Sequence, residues 1–207
     1  MKIKICGLFR DEDIEYVNDA RPDYAGFVFA RSRRQVSPAQ AAGLRRKLAE
    51  GIIAVGVFVN APEESIAALY RNGVIDIAQL HGSEDEAYIA RLKAATGASA
   101  VLLPIPVIKV FKGDEISMSG KGAPPATEAD YCLIDSGAGS GKIFDWDIID
   151  SNNMEKPWFL AGGINIENIA SAVALNPFAI DLSSGAETNG VKDREKILLL
   201  SRIVRNG

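Results

Sequence analysis

Residues 158–185 read WFLAGGINIENIASAVALNPFAIDLSSG, and this succession sets the architecture. An apolar run, Trp158–Ala161, meets the glycine pair Gly162 and Gly163. Asn165 then opens a stretch with apolar residues at helical spacing. A second apolar run, Ala179–Leu182, ends in Ser183, Ser184 and Gly185. Strand, glycine-rich turn, helix, strand and glycine-rich turn is the repeat of a parallel β/α protein. Neither run alternates cleanly between apolar and polar residues, as expected of strands covered on both faces.

The same unit recurs through the chain. The other runs are Lys2–Ile5, Tyr24–Phe29, Ala54–Val59, Ile75–Leu80, Val107–Phe111 and Tyr131–Ile134, which makes eight. Eight strand–helix units predict an α/β fold, a compact (β/α)8 TIM barrel formed by residues 1–207 as one domain. Such barrels usually run nearer about 250 residues, so this one has short loops. A doubly wound open sheet is the alternative, but the GxGxxG turn expected after its first strand is absent.

Helix signals fall between the runs. Ser37-Pro38-Ala39-Gln40 supplies an N-cap, a proline at the first helical position and a capping-box glutamine. Ser83-Glu84-Asp85-Glu86 reads as a fuller capping box, and Asn165 as the N-cap of a helix from residue 166. Asn72-Gly73 reads as a helix end. Residues 112–128 are rich in Gly, Pro and Ser, so the fifth helix is expected to be short. Residues 97–106 read as a small insertion, and only a brief helix is expected after Trp146.

Composition narrows the function. A net charge of −4 argues against a nucleic-acid partner. His81 is the only histidine, which excludes chemistry built on two histidines. Cys6 and Cys132 lack CxxC spacing, so no zinc site or disulfide framework is expected. The N-terminus reaches acidic residues before any apolar segment can form, so no targeting signal is read. The apolar runs at 51–59 and 100–108 are about nine residues long, half of a membrane span. A cytoplasmic protein with no membrane partner is expected, and the ending at 205-RNG reads as a free-standing chain.

A barrel places its chemistry at the C-terminal ends of its strands. Gly162-Gly163 and Ser183-Ser184-Gly185 end strands seven and eight, where freed backbone N–H groups can hold a phosphate. The alternative is that these glycines only make tight turns. Asp135 ends strand six, as a general acid if its pKa is raised or as a cap of its own loop. Asp181 lies inside strand eight and needs a buried partner or a chemical role. Cys6 ends strand one, as a reactive thiol or a small core residue. Arg31, Arg33 and Arg34 form a basic loop, either solvated or able to fork a carboxylate. His81 follows strand four, and Lys142 lies in a glycine-rich segment; both are open between site and loop. Cys132 is assigned to the core.

The segments 4-KICG, 26-GFVF, 31-RSRRQVSP, 56-GVFVN, 79-QLHG, 133-LIDS, 139-GSGKIFDW, 160-LAGGIN and 181-DLSSGAE, followed by Gly190-Val191-Lys192-Asp193, resemble the phosphoribosylanthranilate isomerase family of tryptophan biosynthesis. They run from end to end, in order, at the strand termini. The resemblance implies an Amadori rearrangement of N-(5-phospho-β-D-ribosyl)anthranilate to 1-(2-carboxyphenylamino)-1-deoxy-D-ribulose 5-phosphate. It implies Cys6 as general base, Asp135 as general acid, Arg34 on the anthranilate carboxylate and Asp181 in support. His81 joins the substrate site, and Gly162, Gly163, Ser183, Ser184 and Gly185 hold the phosphate. It implies no metal or redox cofactor, a small phosphorylated substrate as partner, and a monomer or homodimer. Three departures stand out. Gln35 replaces the tyrosine more often found after the arginine, the loop between Asp135 and Gly139 is short, and residues 97–128 match poorly.

Other sugar-phosphate barrels fit these residues less well. A metal-dependent pentose-phosphate epimerase needs several histidines. A histidine-pathway isomerase uses paired aspartates and two phosphate half-sites. A barrel acting on both pathways' substrates is left open. A non-catalytic phosphate-ligand binder needs no acid–base pair, which Cys6 and Asp135 would supply.

Overall fold

The computed structural model describes residues 1–97, 103–137 and 146–206. Eight parallel strands close into a barrel in sequence order: β1 (Lys2–Cys6), β2 (Tyr24–Val28), β3 (Ile53–Phe58), β4 (Ile77–Leu80), β5 (Val107–Lys112), β6 (Tyr131–Asp135), β7 (Trp158–Ala161) and β8 (Ala179–Leu182). The last strand pairs with the first, Lys4 opposite Asp181 and Ile5 opposite Leu182. The expected (β/α)8 barrel is therefore the observed one.

The even side-chain period of a strand splits the apolar residues into two cores. Tyr24, Val55, Ile77, Ile108, Val110, Leu133, Phe159, Ala161 and Ala179 fill the barrel interior. Ile3, Ile5, Ala25, Phe27, Leu80, Cys132, Ile134, Leu160 and Ile180 face the helices instead. Tyr24, Phe159, Tyr131 and Phe178 pack edge-to-face or tilted, with ring centroids 5.3–5.8 Å apart. Cys132 is in the core, as expected.

The helices are α1 (Asp11–Ala20), α2 (Pro38–Lys47), α3 (Glu63–Arg71), α4 (Glu86–Gly97), α5 (Gly113–Met118), α6 (Ile169–Ala174) and α7 (Arg194–Asn206). Of the apolar residues at helical spacing, Ala41, Leu44, Leu48, Ile66, Leu69, Ile197, Leu200 and Val204 are buried, and Tyr70 is half-buried. The short α5 agrees with its composition. Between β6 and β7 the described residues form two 3-10 turns, Trp146–Ile148 and Ser151–Asn153. Of the expected insertion at 97–106, residues 98–102 lie outside the described residues.

Three capping assignments are corrected. Ser37 does accept from Gln40 N, but the Gln40 side chain donates to the Phe9 carbonyl and closes no capping box. Asp85, not Ser83, caps α4 by accepting from Tyr88 N, while Glu86 reaches Thr127 and Glu128. Glu84 is spent on the backbone N–H groups of Asn60 and Gly82. Asn165 accepts from Glu167 N, but residues 166–168 form a turn and α6 starts only at Ile169. Strand β4 begins at Ile77, because the Asp76 carboxylate is bound to Arg45 and Ala54 N.

Candidate active site

Residues two apart on a strand share a face, so each strand's interior row runs from floor to mouth. On β6 the row is Tyr131, Leu133, Asp135, and on β8 it is Ala179, Asp181. On β4 it is Ile77, Gln79, and on β1 it ends in Lys4 and Cys6. The lower members are apolar and packed together. The upper members form a polar layer at the C-terminal end, and that layer is the candidate site.

Lys4 and Asp181 sit opposite each other in register, with Lys4 Nζ 2.9 Å from Asp181 Oδ2. Both are buried. Burial alone would lower the Lys4 pKa, but Asp181 and the nearby Cys6 outweigh it and the net direction is upward. Lys4 is held as a cation. The other carboxylate oxygen, Asp181 Oδ1, is buried and has no hydrogen-bond partner among the described residues. Gln79 Oε1 is in the same condition. Buried acceptors left open at a barrel mouth are groups that a bound molecule can satisfy.

Cys6 is buried at the end of β1. Gly26 pairs with it across β2, and a Cβ on Gly26 would come within 2.7 Å of the Cys6 Sγ. The glycine is what makes room for the thiol. Burial pushes the Cys6 pKa up, against the pull of Lys4 and Lys192. The resting group is therefore the neutral thiol, with two cations near enough to favour a thiolate once one forms.

Asp135 has two engagements. Its Oδ1 accepts from Gly137 N at 2.9 Å, and its Oδ2 lies 3.2 Å from His81 Nε2. The cap reading and the site reading thus hold together, one oxygen each. Burial raises the Asp135 pKa, but His81, Gly137 N–H and Lys4 overcome it and hold it below the usual carboxylate range. The raised pKa that sequence reasoning attached to a general acid is not found. Ser136 ties this loop to the next by donating to the Gly162 carbonyl at 2.7 Å.

The two glycine-rich loops meet. Gly162, at φ +94, lies so close to Ser136 that a side chain there would overlap it. A Cβ on Gly185 would collide with the Ile164 carbonyl, so the β8 loop packs directly on the β7 loop. Gly163 N and Ile164 N donate to no group among the described residues. Open backbone N–H groups at a glycine-rich turn are donors that an anion can accept from.

Arg34 crosses this mouth. Its stem lies over Gly7, which has no room for a Cβ. Its Nε and Nη2 donate to Glu187 at 2.6 and 2.9 Å. Arg33 Nη2 reaches the same carboxylate at 2.6 Å and Lys192 Nζ at 2.9 Å. Three cations around one carboxylate leave an excess of positive charge beside the thiol.

The family model for N-(5'-phosphoribosyl)anthranilate (PRA) isomerase matches residues 3–202. The chain belongs to the PRA isomerase family. It is 47% identical over 211 residues to the N-(5'-phosphoribosyl)anthranilate isomerase of Endomicrobium trichonymphae, covering 99% of this chain and 98% of that one. The crystal structure of the Thermus thermophilus phosphoribosyl anthranilate isomerase superposes with a TM-score of 0.81 at 32% identity, covering 100% and 99% of the two chains. A phosphoribosyl anthranilate isomerase crystallised with reduced 1-(o-carboxyphenylamino)-1-deoxyribulose 5-phosphate superposes with a TM-score of 0.74 at 28% identity, covering 100% and 99%.

Within this family member, the expected residues Cys6, Asp135, His81, Asp181 and Arg34 all come from strand ends or the loops that follow them. Gly162 and Gly163 lie in the β7 loop and Ser183, Ser184 and Gly185 in the β8 loop, and the two loops meet where Gly185 packs on Ile164. Arg31 is exposed, while Arg33 and Arg34 are drawn to Glu187. Gln35, where tyrosine was expected, donates to the Phe29 carbonyl on the outside of the mouth. Lys142 and most of 139-GSGKIFDW lie outside the described residues.

Sequence reasoning missed Lys4, Gln79, Glu187 and Lys192. Lys4 carried a usable signal, because a lysine two residues before Cys6 shares its face. Glu187 and Lys192 flank Asn189-Gly190, a two-residue hairpin signature that places them opposite each other. No helix among the described residues is long and apolar enough to cross a membrane.

Proposed function

We propose that this chain catalyses the Amadori rearrangement of N-(5-phospho-β-D-ribosyl)anthranilate to 1-(2-carboxyphenylamino)-1-deoxy-D-ribulose 5-phosphate. One observation supports this most: Cys6 and Asp135 open on a single polar layer that shares the Lys4 cation. The phosphate of a bound substrate sits on the Gly162–Gly163 and Ser183–Gly185 loops. The anthranilate carboxylate meets Arg34. The ribose then lies across the layer between the two.

The steps balance with these groups alone. Asp135, in its protonated form, gives its proton to the furanose oxygen. The C1′–O bond breaks as the anilino nitrogen lone pair moves in, forming a Schiff base. The Schiff base acidifies the C2′ proton, and Cys6 takes it as thiolate. The resulting enolamine tautomerises to the ketone, C1′ gaining a proton while the C2′ hydroxyl loses one. Cys6 and Asp135 regain their starting states by net transfer of one proton. The Lys4 cation stabilises the transient thiolate, and Asp181 holds Lys4 in place. The substrate is a small phosphorylated molecule; a cytoplasmic setting suits it.

The test follows loss of anthranilate fluorescence on mixing enzyme with the ribosylated substrate, with the product identified by mass. Cys6→Ser and Asp135→Asn each reduce turnover by about 10²–10⁴-fold while sparing substrate binding. Tight binding of a product analogue without turnover would instead mark a phosphate-ligand binder.

A further inference from the structure

The hairpin after β8 carries Glu187 and Lys192, neither of which takes part in the reaction steps above. Strands β9 (Glu187–Thr188) and β10 (Val191–Lys192) pair antiparallel, with Lys192 opposite Glu187. Asn189 and Gly190 both have positive φ, at 52° and 83°, as the primed hairpin turns demand. The turn therefore fixes Glu187 and Lys192 side by side over the barrel mouth. Both are buried.

Glu187 meets Arg34 through one edge of the guanidinium, Nε and Nη2. Arg34 Nη1 donates to no group among the described residues. A carboxylate that takes one edge of the fork both pins the plane and dictates which nitrogen stays available. Lys192 closes the link on the other side. Its Nζ donates to Glu187 Oε1 and to the Ser183 carbonyl, each at 2.9 Å. A continuous chain of charged hydrogen bonds thus runs from the guanidinium to the loop that ends β8. Lys196 Nζ, from α7, holds the Glu187 backbone carbonyl at 2.7 Å.

We propose that Glu187 and Lys192 are positioning residues that set the enzyme's preference for a ring carboxylate. They aim the free edge of Arg34 at it and fix the distance from there to the phosphate loop. This rests on the reading of Arg34 as the ligand of the anthranilate carboxylate. Glu187 touches no substrate atom. It acts through Arg34, and the net cationic cluster attracts the anion.

The experiment compares two substrates, the phosphoribosyl adducts of anthranilate and of aniline, which differ only in the ring carboxylate. The wild-type enzyme prefers the anthranilate adduct in kcat/KM. Glu187→Gln lowers that preference at least about ten-fold, through KM for the anthranilate adduct, with little change for the aniline adduct. Glu187→Asp, still charged but shorter, retains an intermediate preference and serves if the glutamine variant does not fold. Equal losses on both substrates would assign Glu187 a structural role only and overturn the proposal. So would a wild-type preference that Arg34→Ala abolishes and both Glu187 variants keep. A wild-type enzyme with no preference for the carboxylate would overturn the Arg34 reading itself, and the proposal with it.

Discussion

Lys4 and Asp181 form an ion pair inside the barrel, 2.9 Å apart, with neither side chain open to solvent by more than 6%. Two charges out of water stabilise a protein little as a pair, but breaking one partner leaves an uncompensated charge. Lys4→Met is expected to destabilise the fold by about 3–5 kcal/mol. The double variant Lys4→Met with Asp181→Leu restores most of that loss and none of the turnover. Urea unfolding midpoints beside turnover numbers check this. Recovery of activity in the double variant would show that the pair serves the fold alone.

The directions of the Asp135 and Cys6 shifts predict the pH profile. The free enzyme near neutrality holds Asp135 as carboxylate and Cys6 as thiol. The reaction needs the opposite forms. Between the two pKa values the population of the productive form is constant, so kcat/KM is flat across neutral pH. The acid limb falls below the ordinary carboxylate value of about 3.9 and the alkaline limb above the ordinary thiol value of about 8.5. The substrate phosphate, titrating near about pH 6, is divided out first. The stability signs follow. The Asp135 contribution is present above the unfolded carboxylate value and is lost as pH falls through the folded one. Burial of Cys6 as a thiol is favourable below the unfolded thiol value, and the advantage is lost as pH rises through the folded one. An alkaline limb near pH ~7 would show that the thiol is activated before substrate arrives.

The barrel was legible because it rests on repetition. Eight short apolar runs separated by helical patterns have few other ways to bury both faces. Trp158–Ala161 and Ala179–Leu182 were read at their observed limits. The caps were less legible. Gln40 and Glu86 have capping-box spacing but found partners elsewhere in the chain, Gln40 at the Phe9 carbonyl and Glu86 at Thr127 and Glu128. The site divides in the same way. Cys6 and Asp135 stand out as polar residues at strand ends, and Asp181 as a charge inside a strand. Lys4 is legible only as sharing a strand face with Cys6; its partner, Asp181, lies 177 residues away and is set by the register. Glu187 needs the hairpin, the β2 loop and α7 together before its cluster exists.

His81 is expected to act through Asp135. It stands 3.2 Å from the carboxylate and helps hold its pKa down. Replacing it with alanine raises the Asp135 pKa, so the acid limb of kcat/KM moves to higher pH. The neutral acid then becomes more abundant near neutrality, and any loss of kcat reflects positioning rather than proton supply. A carbon NMR titration of Asp135 in His81→Ala reads the shift directly. An unmoved Asp135 titration would leave Gly137 N–H and Lys4 as the groups that set it.

Gly26→Ala tests how tightly the thiol is placed. Gly26 sits opposite Cys6 in the β1–β2 ladder, and an added methyl would lie 2.7 Å from the Sγ and 3.0 Å from the Cys6 Cα. The 2.7 Å approach is closer than packed heavy atoms come and the 3.0 Å one is tight, and the backbone on both sides is held by the barrel. The thiol is the part that can turn, and it moves away from the C2′ position. A displacement of about 1 Å at a reacting group costs on the order of 10²-fold in rate. The expected variant folds, with a modest overpacking cost of about 1–3 kcal/mol. It binds product analogue nearly as wild type and turns over about a hundredfold more slowly. Binding by fluorescence titration beside single-turnover rates separates the two effects. Undiminished turnover would mean that Cys6 need not be held at the Gly26 gap for the proton at C2′ to be removed.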